Sequence, residues 1–406
     1  MMIQFLYEKL KILYLIIITI LGLNQQNFAE VNTYPVYERV GHEVHSEVLN
    51  DIRFTEMVVY GESEDVMFGN ILTSAVGPSG RVYLGDMDQQ KIHVLDINGD
   101  YITSFGGQGN GPGEFQMINK IAVNQEYVYA FDMIQARIHL FEPDQYRYVR
   151  TISLLENDSG GQPRMTPGEG RPFDFFLTSD SNLLVSYRNF MDPTANRTSV
   201  ISPAGEVIDR DRFDFTPEDD ENVAQRTSGG MVMVANFPFS RTSRMTASGN
   251  GMVYYNWSGN FSFDLFDESG NKLRTFNHPF THAPLIRREV MEAYEGNTGT
   301  RVVFGSGPGG GGAAPSMSAM LQNMDLPETW PAVNTMFADK QNRLWVSTFT
   351  EKMNERRWYL FDPSGNLLGN FTWPNGKTVV YADEEYVYTL IRDPEELDVL
   401  VKYRIH

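Results

Sequence analysis

Four cations stand out in a chain whose formal net charge is −19. Lys120, Arg171, Arg241 and Arg244 each lie at or just before the start of a short segment that leads into an apolar strand pattern. A guanidinium presents a planar fork of N–H donors that matches a carboxylate or a sulfate, and a lysine adds a point charge. Acidic surface repels anions elsewhere, so an anionic ligand would be drawn to such a group if the four converge. Phe173, Phe237, Phe239 and Trp330 stand close by in the chain and could stack on a sugar or a peptide. Asn334, at the entrance of a later segment, adds a neutral polar group. The competing reading of each cation is an ion pair with one of the 52 Asp and Glu residues.

Other chemistry finds little support. Asn119, Asp174 and Asn334 have donor atoms for a hard cation, but Lys120 and Arg244 at neighbouring entrances oppose one and no histidine joins them. The chain has no cysteine, which removes disulfides, thiolate nucleophiles and metal–thiolate sites. Gly107 to Gly111 looks like a dinucleotide loop only until Pro112, and a strand rather than a helix follows. Gly307 to Gly312 lacks the Lys-Ser/Thr ending of a phosphate loop. His278 and His282 have the i, i+4 spacing of a helical metal pair, but Pro279 argues against a helix there. His93 and His139 occupy equivalent places in successive repeats, which points to architecture. No catalytic residue, metal site or cofactor is therefore expected.

The segments that carry these groups repeat. Six times between Ile71 and His406 a short apolar strand meets a tight turn, an aromatic-rich second strand follows, then a third strand, a Gly or Pro turn and a fourth strand. The second strands read RVYLGD from Arg81, YVYAFD from Tyr127, LLVSYR from Leu183, MVYYNW from Met252, RLWVST from Arg343 and YVYTLI from Tyr386. Their spacing is that of propeller blades with insertions at a few points. The last unit has only three strands, and Phe54 to Tyr60 is an alternating segment with no unit of its own. The expected fold is an all-β, six-bladed β-propeller closed by that N-terminal strand, a device that removes the free seam of the ring.

Ser104 to Phe115, followed by Ile121-Ala122-Val123, Asp132 and Arg137 to Phe141, closely resembles an NHL repeat. The chain is also similar to secreted bacterial six-bladed propellers without a common established activity. The strong match covers the first two blades. The Asp that such repeats carry after the second strand is present as Asp86 and Asp132, whereas Arg188, Trp257, Thr348 and Ile391 replace it later. Lactonases on this fold hold a divalent metal at the channel floor with Glu, Asn and Asp, and amidating lyases similar to NHL propellers use channel histidines around zinc. For the first, this sequence offers Asn119, Asp174 and Asn334, opposed by Lys120 and Arg244; for the second, no histidine joins them.

Lys9 and Lys11 precede the apolar run Ile12 to Leu23, and a polar stretch follows to Glu30, the pattern of a secretory signal. The expected organisation is a signal peptide over 1–29, an extension over 30–49, and the propeller over 50–406 with a partly helical insertion at 281–334. The expected location is periplasmic or extracellular, without an integral span after cleavage, and the expected state is a monomer. The negative charge argues against nucleic acid. The long connections, Glu156 to Arg171, Arg188 to Arg197, Thr216 to Arg241, Thr281 to Trp330 and Phe349 to Arg357, all fall on one face. Within the largest, Pro284 to Tyr294 and Ser316 to Met324 are the helix candidates. The role this implies is a binding or interaction module for an anionic saccharide, peptide, small molecule or protein partner on that face, with Lys120, Arg171, Arg241, Arg244 and Asn334 as its contacts. The alternative is a lactonase-like or lyase-like channel enzyme.

Overall fold

Alternation of apolar and polar residues in runs of four to eight, ended by tight polar turns, leaves strands that can bury both faces only by stacking sheet against sheet. A computed structural model of the chain describes residues 52–61, 66–157, 163–164, 170–189, 192–215, 224–228, 231–235, 239–295, 326–392 and 398–406. They form six four-stranded antiparallel blades. Blade one is Ile71–Val76, Val82–Asp86, Lys91–Leu95 and Tyr101–Gly106; blade two is Ile118–Val123, Val128–Asp132, Arg137–Phe141 and Tyr148–Ser153. Blade three is Arg171–Leu177, Leu183–Asn189, Asp192–Ile201 and Val207–Asp214; blade four is Ser243–Ala247, Met252–Trp257, Ser262–Asp267 and Lys272–Asn277. Blade five is Thr335–Ala338, Leu344–Phe349, Glu355–Phe361 and Leu367–Pro374. Blade six is Thr378–Ala382, Tyr386–Arg392 and Asp398–Ile405, completed by Phe54–Tyr60, which pairs antiparallel with Asp398–Ile405. The expected closure is therefore present, with Phe54 opposite Ile405 and Tyr60 opposite Leu400.

In five of the six blades a buried aromatic residue of the second strand packs between blades, and Val185 holds that place in blade three. Tyr83, Tyr129, Tyr254, Trp345 and Tyr388 are all buried. The Tyr83 hydroxyl donates to the Pro143 carbonyl at 3.3 Å and the Tyr254 hydroxyl to that of Asn342 at 2.5 Å, each crossing to the next blade. Turns between third and fourth strands use one device: Asp96, Asp267 and Asp362 accept backbone N–H groups of the turn they open. Gly99, Gly270 and Gly365 close these turns at φ of 99°, 91° and 87°, a region open to glycine at little cost.

All six outer strands carry a bulge, and the extra residue in each is a solvent-exposed apolar one. Ile102, Val149, Ile208, Leu273 and Leu368 fall out of register with the third strand, as does Met57 in the closing strand. A bulge bends and twists the outer strand, which makes its free edge a poor template for another chain. The exposed apolar side chains are thus accounted for by edge geometry.

Asp86 accepts from the backbone N–H groups of Gly69, Asp88 and Gln89, and Asp132 from those of Gln116 and Gln135. His93 lies 3.2 Å from Asp86, and His139 lies 2.7 Å from the Thr151 hydroxyl; each ring meets a phenylalanine edge-on, Phe68 or Phe115. Both are buried, in agreement with a structural role. Burial, with the Arg137 charge nearby, pulls His139 down to about 4. The unfolded chain therefore takes up this proton first as the pH falls. His139 should cost no stability above pH ~6.5 and up to about 3 kcal/mol as the pH drops from there to ~4. Urea unfolding of the protein and of a His139→Gln variant across that window checks this: the stability difference between them should change with pH, and a constant difference would contradict it.

Candidate functional site

The first strand of each blade is the innermost, and the strand that follows it runs back toward the face of the long connections. Tight turns join first to second and third to fourth strands, so every long connection does share one face, as expected. Two of them differ in kind from loops. Leu183–Asn189 and Asp192–Ile201 run on past the body of blade three as a hairpin, with Asn189 opposite Asp192, and the connection into blade four carries the hairpin Ala224–Ser228 with Met231–Ala235. In the largest insertion a helix, α1, spans Arg287–Glu295. It begins later than expected because Pro284 is bridged to Thr329, and the Leu285 N–H donates to the Glu328 carbonyl. The second helix candidate, Ser316 to Met324, lies outside the described residues.

The helix fixes the fate of two aromatic candidates. Val290 of α1 packs in one cluster with Phe239, Ala283, Trp330 and Phe349, all buried, and Trp330 stacks on Phe349 at 4.4 Å. Phe239 and Trp330 therefore serve as the seat of the insertion on blades four and five and are not open to stack on a ligand. Phe173 is also buried and is covered by the Arg188 guanidinium at 4.1 Å. Phe237 lies outside the described residues.

The cations separate into committed and uncommitted groups. Lys120 donates to Asp174 at 2.6 Å and lies over the Phe176 ring at 3.9 Å, so its charge is matched across the boundary of blades two and three. Arg171 donates to the Ile134 carbonyl at 2.9 Å, while burial pulls its guanidinium down. Arg241 packs its chain against Gly259. Asn334 donates to the Ser347 hydroxyl at 3.1 Å, and Asn119 to the Phe173 carbonyl at 3.3 Å. These contacts tie four of the candidates into the ring itself.

Arg244 differs. It is the second residue of the innermost strand of blade four and is 9% exposed, and no ion pair or hydrogen bond of its side chain occurs among the described residues. Its Nε is buried without an acceptor. Burial pulls its guanidinium down to about 9, and the charge of Arg188 adds to the effect. Arg188, at the end of the second strand of blade three, is 8% exposed, and burial pulls it down to about 10 against the partial support of Asp174. A guanidinium stays charged at neutral pH, so the shifts measure an electrostatic cost that a bound anion would relieve. Arg244 is thus a buried cation beside a second buried cation, Arg188, in an acidic chain.

Residue 188 was not among the candidates, although the sequence marks it. It occupies the place at which the first two blades carry Asp86 and Asp132, so the repeat reverses charge there. Among the described residues no group of three or more His, Asp or Glu side chains is placed to hold a metal ion. His282 meets the Gly259 carbonyl at 3.1 Å and lies before the helix, so it and His278 do not share a helical face.

The ring of six blades agrees with what the chain matches. Residues 41–157 match the family described as a six-bladed beta-propeller, DUF5128. No curated protein matches the chain. Among solved structures it is similar to a putative exported protein from Bacteroides fragilis at 12% identity and a TM-score of 0.51, over 89% of this chain and 98% of that one. It is likewise similar to a member of the DUF4221 family from Bacteroides vulgatus at 12% identity and a TM-score of 0.51, over 88% and 99%. These likenesses are of fold. Among the described residues no helix is long and apolar enough to cross a membrane.

Proposed function

We propose that the chain is an exported binding module that captures a carboxylate-bearing ligand at the inner end of blades three and four, with Arg244 as the principal contact and Arg188 beside it. One observation carries the reading: a buried arginine without a carboxylate partner among the described residues, next to a second arginine, in a chain of net charge −19. An unpaired buried charge is costly, and a site that keeps one is explained by a ligand that pairs it. Loss of Phe173, Phe239 and Trp330 as stacking platforms favours a small carboxylate or a peptide over a saccharide. Lys120 and Arg171 contribute as fixed parts of the wall. Export is supported by the basic and apolar segment at the N-terminus and by the likeness to a protein described as a putative exported protein. No observation favours hydrolysis or elimination.

Thermal-shift and calorimetric titration with acetylated dipeptides, short carboxylic acids and uronates tests the reading. At least one carboxylate should raise the melting temperature, and Arg244→Ala should weaken its binding by roughly ten- to a hundredfold. Raising the salt to about 0.5 M should weaken the wild-type interaction as well. Failure of every carboxylate to bind at low salt would sink the proposal.

A further inference from the structure

The strand opposite Arg244 supplies a second uncommitted group of the opposite kind. Asn256 lies directly across from Arg244 in the ladder of blade four, so the two side chains share a face with Cβ atoms about 5 Å apart. Asn256 is 1% exposed. Its Nδ2 donates to the carbonyls of Asn260 at 2.8 Å and Ser262 at 2.9 Å, which fixes the amide so that Oδ1 is the remaining atom. That oxygen is buried and meets no donor, just as Nε of Arg244 meets no acceptor, and the two side chains do not bond each other. Buried amide oxygens normally find a donor, and the cost of leaving one without is of the order of a full hydrogen bond. Register and two anchoring bonds thus hold an acceptor beside a fork of donors at one point of the inner ring.

We infer that the ligand of this site carries an N–H next to its carboxylate, as the C-terminal residue of a peptide or an N-acyl amino acid does: the carboxylate meets Arg244 and the N–H meets Asn256 Oδ1. The inference rests on the carboxylate reading above and narrows it. A plain carboxylic acid satisfies the arginine and leaves the amide oxygen bare. An uronate has hydroxyls that can donate, but Phe173, Phe239 and Trp330 are buried and offer its ring no open aromatic face among the described residues. A secondary amide adjacent to a carboxylate satisfies both groups, and its own carbonyl is the one further polar atom it brings.

The test changes the ligand and leaves the protein untouched, so folding does not enter. The probes are N-acetyl-L-alanyl-L-alanine, its C-terminal carboxamide, N-acetyl-L-alanyl-L-lactate, in which an ester oxygen replaces the last N–H, and glucuronate. Calorimetry on the full chain at low salt should find the dipeptide bound, with the lactate analogue and the carboxamide each weaker by roughly tenfold or more. Equal affinity for dipeptide and lactate analogue, or glucuronate binding as tightly as the dipeptide, would overturn the inference while leaving the carboxylate reading in place. Binding of none of the carboxylates would remove both.

Discussion

A chain that begins after Tyr60 is expected to lose the ring as a cooperative unit and to associate through blade six. Phe54 lies in an aromatic cluster, 4.7 Å from the Phe371 ring and 4.5 Å from that of Trp373, and is 3% exposed. Tyr60 is fully buried and donates to the Ile97 carbonyl of blade one at 2.8 Å, so one strand ties the last blade to the first. Its removal uncovers the free edge of Asp398–Ile405 together with Val399, Val401 and Tyr403 of the same core. The single change Phe54→Ala should cost about 3–5 kcal/mol, the usual loss for a buried aromatic, and full removal of the strand should cost more. Urea unfolding and light scattering of both variants are the measurements. A truncated chain that stays monomeric with an unchanged midpoint would refute the account of closure.

The second large effect has the opposite sign for stability. Arg244→Met should stabilise the fold while it weakens carboxylate binding by roughly ten- to a hundredfold. Methionine has a similar length and adapts to an irregular space, and its exchange removes a buried charge that no described group neutralises. Replacing buried ions by apolar side chains of like volume gains about 1–4 kcal/mol where it has a favourable effect. In a chain of 406 residues the melting temperature should then rise by about 1–1.5 °C for each kcal/mol. A site kept at the expense of stability is the mark of selection for binding, whereas a fall in melting temperature would show that the guanidinium supports the ring.

Blade count and closure were legible because period-two alternation and Gly-containing turns recur, and because Phe54 to Tyr60 had no other place to pair. The bulges were not, since an extra residue such as Ile208 in an outer strand faces solvent and leaves no break in the buried pattern. Ranking of the cations depended on contacts far apart in sequence: Lys120 and Asp174 are 54 residues apart, and only the packing of two blades brings them together. Phe239 and Trp330 read as ligand platforms because they flank long connections, yet the apolar side of α1 needs cover and they provide it. Arg188 could have been found from the repeat itself, as a positive charge where Asp86 and Asp132 predict a negative one. Asn256 left no signal, because an asparagine in a strand is remarkable only once its amide is seen to be half satisfied.

The most direct test of the carboxylate site is a crystal structure of the full chain grown with N-acetyl-L-alanyl-L-alanine. The account predicts the ligand carboxylate within hydrogen-bond distance of the Arg244 guanidinium, with Arg188 beside it. Arg244 paired with a carboxylate of its own chain, and the dipeptide absent from the inner end of blades three and four, would contradict it.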